Sequence, residues 1–158
     1  MKKAFEPEEF TNHQEQYLVK RLRKSAAFIT ELSLVTLAEE KIIGYVLLTE
    51  ITIIPSGANP AKLLALAPLA VDPAYQRKGI GGELIKAAHQ RAKELGLQAI
   101  VILGHPQYYP KFGDQKSINY GISLPFEVPA ENAMVIALNP DALKGIHGEV
   151  KYAKEFYE

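Results

Sequence analysis

The run Gln76-Arg77-Lys78-Gly79-Ile80-Gly81-Gly82 is the part of this sequence best suited to hold an anion. Glycines have no Cβ, so the backbone bends sharply there and a ligand can approach it closely. The apolar residues that follow, Leu84, Ile85, Ala88, Ala92 and Leu95, recur at helical spacing, so the glycines open a helix. The first N–H groups of a helix lack intrahelical acceptors. Together with the positive end of the helix dipole they attract phosphate. Arg77 and Lys78 add positive charge at the same place. A tight turn without a ligand explains the glycines too, but it leaves the basic pair unaccounted for.

Those glycines need a strand before them and a helix behind. The run Leu63–Val71 (LLALAPLAV) suits a strand buried on both faces. Pro73, which cannot donate to a ladder, ends it. The helix runs to Leu95, and Gly96 is placed to cap it. Among phosphate-binding turns, G-x-G-x-x-G fails because the glycines stand at 79, 81 and 82. The Gly-Lys-[Ser/Thr] loop fails because Lys78 precedes its glycine. The spacing present is Q-x-x-G-x-G, at Gln76, Gly79 and Gly81. Within AVDPAYQRKGIGGELI it resembles the acetyl-CoA pyrophosphate loop of the GNAT N-acetyltransferase superfamily, V-x-P-x-x-[QR]-x-x-G-[IV]-G.

With 158 residues, the chain is long enough for a sizeable core, and 1–158 is expected to form a single domain. Its 18 basic and 18 acidic residues cancel, which argues against a dedicated nucleic-acid binder. Without cysteine there is no disulfide framework and no thiol nucleophile. The four histidines are scattered, so no metal site is expected. The opening MKKAFEPEEF lacks the apolar core of a signal peptide, and no apolar run approaches the ~20 residues that span a bilayer. The expectation is a cytoplasmic protein with neither nucleic-acid nor membrane partners.

Along the chain, His13–Lys24 reads as a helix with an apolar stripe of Tyr17, Leu18 and Leu22, capped by Thr11 or Asn12. Its basic cluster (Lys20, Arg21, Arg23, Lys24) suits a solvated helix C-terminus or, more sharply, a surface near the CoA phosphates. Leu32–Ala38 and Ile42–Ile54 read as a hairpin around Glu39-Glu40-Lys41. Residues 55–60 read as a loop, Ala99–Leu103 as a short buried strand, and Leu124–Pro129 as a rigid loop. Ala133–Leu138 and Gly148–Tyr152 complete the strands. Antiparallel strands leading into a β-α-β crossover follow the order of the GNAT fold. The resemblance therefore implies an α/β architecture: a mixed, mostly antiparallel central sheet with a splayed parallel strand pair and flanking helices. The superfamily's usual first strand has no counterpart in the opening residues. That sheet edge is expected to be shortened, or supplied by a partner in a homodimer.

The string GHPQYYPKFG (104–113) places Tyr109, Lys111 and Gly113 on the superfamily's Y-x-K-x-G-F, with Asp114 where an aromatic residue is usual. With Glu31 and the later PFEVP, it resembles the YhbS-like branch of predicted acetyltransferases. The resemblance implies acetyl-CoA as cosubstrate. Its pantetheine arm would pair with Leu69, Ala70 and Val71, opposite Ala99–Leu103. Its pyrophosphate would sit on Gln76, Arg77, Lys78, Gly79, Ile80, Gly81 and Gly82. The N–H near Leu69 would polarise the thioester carbonyl.

Tyr109 matches the residue that protonates the departing thiolate in relatives, and Tyr108 is its neighbouring competitor. A phenol, with its ordinary pKa of ~10, is a reasonable donor to a thiolate. Its alternative role is packing. For the base, the candidates are His105, Glu31 and an ordered water, with Glu127 weaker. Imidazole changes charge near neutral pH, but His105 also suits a loop cap, and Glu31 also reads as a surface carboxylate. The implied activity is direct acetyl transfer to a primary amine of a small molecule, protein or peptide. The rivals are a non-catalytic acyl-CoA-binding or sensor module of the same fold, and a nucleotide-binding α/β protein.

Overall fold

The structure, a computed structural model, describes residues 15–54 and 61–157. The expected cap at Thr11 or Asn12, the opening residues expected to lack a first strand, and the expected 55–60 loop lie outside these residues. Helix α1 (Glu15–Leu22) is followed by strands β1 (Phe28–Ala38), β2 (Lys41–Ile54) and β3 (Ala61–Val71). Helix α2 (Ile80–Glu94) and β4 (Ala99–Leu103) come next, then β5 (Gln115–Lys116), β6 (Ile122–Ser123), β7 (Ala133–Ala137) and β8 (Gly148–Lys151).

The sheet order is β5-β7-β4-β3-β2-β8-β6, with β1 also on β2. β3–β4 and β6–β8 are parallel and the other pairs antiparallel. This is the mixed, mostly antiparallel sheet that the sequence implied. β1 starts at Phe28, earlier than the expected Leu32, because Phe28, Ile29 and Thr30 are strand-favouring residues. The hairpin turns on Glu39 and Glu40, both at positive φ (50° and 67°), between the paired Ala38 and Lys41. That is the backbone of a two-residue hairpin turn.

β3 is buried on both faces, as expected. On one side Leu64 and Leu66 pack with Leu84, Ile85 and Ala88 of α2. On the other, Leu63 and Ala65 pack with Val101, Val135 and Val150. Each fully buried aliphatic side chain contributes about 1.5–3 kcal/mol, so α2 is fixed by its apolar stripe. It ends as Gly96 suggested: Gly96, at φ 78°, donates to Lys93 and Leu97 donates to Ala92. This left-handed cap satisfies the last carbonyls.

Helix α1 buries Val19 and Leu22, while Tyr17 is 56% exposed, so the stripe is Leu18, Val19 and Leu22 rather than Tyr17, Leu18 and Leu22. It stops at Leu22, where the Ser25 hydroxyl donates to the Leu22 carbonyl at 2.8 Å. Within its basic cluster, Arg21 Nε donates to the Glu155 carbonyl at 3.1 Å and ties the helix to the C-terminal segment.

Two features part the parallel pair. β3 and β4 match only at Leu64↔Ile100 and Ala65↔Val101. The β2–β3 register then shifts between Val46↔Leu69 and Leu48↔Leu66, which leaves one extra residue on β3 at Ala67-Pro68. Proline lacks the N–H a ladder needs and is accommodated at such a bulge. Leu69–Val71 were expected opposite Ala99–Leu103. Continuing the register puts Leu66 and Ala67 level with Ile102 and Leu103, so Leu69–Val71 lie beyond the end of β4.

Candidate active site

Where β3 and β4 part, a cleft of about 570 Å³ opens. Leu66–Val71 form one wall and Ile102–His105 the other. The turn from Tyr75 to Gly81 closes one end, Tyr108 and Tyr109 line the interior, and Leu18 of α1 reaches it from outside the sheet.

The turn is built by local hydrogen bonds. Asp72 Oδ1 accepts the Ala74 N–H at 2.9 Å, and Gln76 Nε2 donates to the Val71 carbonyl at 3.0 Å. Gln76 therefore holds the last carbonyl of β3 to the turn. Arg77 (φ 65°) and Gly79 (φ 83°) are both left-handed. Holding a non-glycine residue there costs of order 1–3 kcal/mol, and such strain clusters at ligand sites. Gly79 caps α2 with no side-chain hydrogen bond. The first bond back is from the Glu83 N–H to the Gly79 carbonyl at 3.0 Å. The N–H groups of Ile80, Gly81 and Gly82 are thus left without intrahelical acceptors, in a position that favours an anion.

Gly81 and Gly82 have a further reason to be bare. A Cβ on Gly81 would stand 2.8 Å from the Tyr108 hydroxyl oxygen, and one on Gly82 would stand 3.1 Å from the Phe112 ring. The segment carrying these rings is locked in turn. Tyr108 meets Tyr109 edge-on at 5.1 Å and Phe112 at 5.3 Å between centroids. Burial pushes the Tyr108 phenol up from its ordinary value. The Tyr109 ring lies on Gly104 so closely that no Cβ fits there.

The sequence profile of the acetyltransferase (GNAT) family matches residues 2–111. The chain belongs to the GNAT acetyltransferase family. The uncharacterized N-acetyltransferase YjhQ of Escherichia coli K12 is 34% identical over 116 residues, or 73% of this chain. The match spans 64% of that relative's length. The uncharacterized N-acetyltransferase YhbS of the same strain is 29% identical over 147 residues, covering 93% of this chain and 86% of the relative. The crystal structure of E. coli YhbS in complex with CoA matches with a TM-score of 0.83 and 30% identity, over 92% of this chain and 79% of that one. A GNAT acetyltransferase from Brucella melitensis, in complex with acetyl-CoA, matches with a TM-score of 0.77 and 28% identity, over 98% and 86%. The likeness is to the YhbS-like branch.

Set against this GNAT frame, the residues singled out in the sequence divide. Leu69, Ala70, Val71, Gln76, Arg77, Gly79, Ile80 and Gly81 line the cleft, as do His105 and Tyr109. Lys78 is outside the lining, with its ammonium 5.5 Å over the Tyr75 ring. Gly82 faces Phe112 instead. Glu31 is exposed on β1, where the register with β2 shifts between Phe28 and Ser33, and it does not line the cleft. Glu127 is also exposed and away from the lining.

Four positions escaped the sequence reading. Leu18 was visible only as one of an apolar stripe. Gly104 and Asn132 carry no local signal, because what they do depends on partners distant in sequence. Pro68 did carry one, since a proline inside an apolar run marks a bulge or an edge.

Proposed function

We propose that this chain is an acetyl-CoA-dependent N-acetyltransferase, working in the cytoplasm as one catalytic domain, that moves acetyl directly to a primary amine. The observation that carries this reading is the continuity of the cleft. It joins the start of α2, which has no side-chain cap, to the parted edges of β3 and β4, with Tyr109 in its wall. The bent turn offers N–H groups and Arg77 to a diphosphate. Leu69–Val71 pair with β2 on one side and have no strand partner on the β4 side, which offers a ladder edge to an amide-bearing arm. The mostly apolar lining suits a thioester.

In the reaction, the nitrogen of the bound amine attacks the thioester carbonyl carbon. The C–N bond forms, the C–S bond breaks, and acetyl leaves the sulfur. The amine loses a proton to a base and the thiolate takes one from an acid. Holding both reactants in one cleft supplies the proximity. His105, which shares the cleft with Tyr109, is favoured as base over Glu31 and Glu127, which do not line it. Tyr109 is the acid. The acceptor is a small-molecule amine or a protein or peptide amine.

The test is isothermal titration of the protein with acetyl-CoA, beside Arg77→Glu, followed by thiol release with a panel of primary amines. Saturable binding weakened by the charge reversal, then amine-dependent CoA release, is the expected result. Binding without release for any amine would favour the non-catalytic acyl-CoA module. No binding by the wild type would remove the reading altogether.

A further inference from the structure

The resemblance that points to Tyr109 leaves its neighbour without a task, yet Tyr108 is the residue in contact with the phosphate turn. Its hydroxyl oxygen lies 2.8 Å from where a Gly81 Cβ would stand, beside Val71 and Leu69, whose side-chain methyls are 3.8 and 3.9 Å from the same point. The hydroxyl is therefore at the junction of β3 and α2, where the anion-binding N–H groups give way to the unpaired edge of β3. Tyr108 lines the cleft, and its hydroxyl has no hydrogen-bond partner among the described residues.

The ring is held firmly while the hydroxyl is left open. Tyr109 and Phe112 pack edge-on against it, and the Lys111 ammonium lies 5.6 Å from its centroid. Packing alone would be met by phenylalanine. A phenol whose rim is fixed by two rings, and whose oxygen points at a bare α-carbon inside a cleft, is preorganised to donate. Burial raises its pKa and keeps the donor proton on.

We propose that the Tyr108 hydroxyl is a binding residue for the acyl-CoA cosubstrate, donating a hydrogen bond at the junction of its diphosphate and pantetheine parts. Gly81 is glycine partly to admit that hydroxyl. The proposal rests on the acyl-CoA reading of the cleft. It separates two adjacent tyrosines by role: Tyr108 binds and Tyr109 transfers the proton.

The experiment is titration of the full chain with acetyl-CoA and with CoA, for the wild type, Tyr108→Phe, Gly81→Ala and the double variant, each checked for an unchanged melting temperature. One neutral hydrogen bond corresponds to about two- to tenfold in Kd, and Tyr108→Phe is expected to weaken both ligands by that factor. Gly81→Ala puts a methyl where the hydroxyl rests, so it weakens binding in the wild type. It costs less in the Phe background, where the obstacle is gone. Such non-additivity marks a direct contact. Wild-type affinity in Tyr108→Phe, or losses that simply add, would overturn the proposal while leaving the acyl-CoA reading intact. A wild type that binds neither ligand would overturn both.

Discussion

Asn132 and Gly104 exchange two hydrogen bonds: the Asn132 side-chain amide donates to the Gly104 carbonyl at 3.1 Å, and the Gly104 N–H donates to the Asn132 carbonyl at 2.9 Å. This clasp joins the end of β4 to the start of β7 and anchors the segment that carries His105, Tyr108 and Tyr109. Asn132 is buried, so its loss leaves the Gly104 carbonyl without a partner. Asn132→Ala is expected to cost about 1–3 kcal/mol. In a chain of this size that lowers Tm by roughly 3–10 °C. Calorimetry checks it, and an unchanged Tm would show that the clasp adds nothing.

The other side of the same glycine lies against the Tyr109 ring. A methyl on Gly104 would occupy the space of the Tyr109 ring, so Gly104→Ala must displace that ring. Overpacking of this kind costs about 1–3 kcal/mol. Acetyl transfer should fall with it, because the ring carries the proposed acid. Full activity with a lowered Tm would mean that the hydroxyl keeps its place, or that it does not matter.

What the sequence made legible was local. The strand, glycine turn and helix from Leu63 to Gly96 are encoded by neighbours in the chain, and the bend at Gly79 and the left-handed cap at Gly96 followed; the positive φ of Arg77 did not. What it hid was contact across the chain. Gly104 reads as loop glycine until the Tyr109 ring and Asn132 are seen on it, and Asn132 is 28 positions away. Gly81 and Gly82 read as ligand-facing, yet Tyr108 and Phe112 also crowd the space where their Cβ atoms would stand. Glu31 was a candidate base from its place before a strand. Strand order alone gives no measure of its distance from the cleft.

Asp114 gives a pH-dependent prediction. It is 6% exposed, and its Oδ2 meets no hydrogen-bond partner among the described residues. Burial pushes its carboxyl from 3.8 up to about 7, against a smaller opposing effect of its own backbone N–H. A carboxyl raised in the folded state holds its proton there more tightly than in the unfolded chain. Stability therefore falls as pH rises from about 4 to about 7, and above that the penalty is complete. The gap sets a ceiling of roughly 4 kcal/mol. Asp114→Asn should be more stable than the wild type near pH 8, with the advantage fading toward about pH 4. Urea unfolding at both values tests this, and a difference independent of pH would contradict it.

Tyr109→Phe addresses the chemistry itself. The ring stays, so its packing on Gly104 and its edge-on contact with Tyr108 survive, and Tm should hold within a degree or so of the wild type. Only the hydroxyl is lost. If it protonates the departing thiolate, kcat should drop by roughly a hundredfold or more, while the affinity for CoA changes little. A rise in KM with kcat intact would instead make Tyr109 a binding group. Measured beside Tyr108→Phe, the two variants then separate cleanly: one moves the rate and the other moves the affinity. If both moved only the affinity, the proton would have to come from another group in the cleft, and His105 would be the next side chain to change.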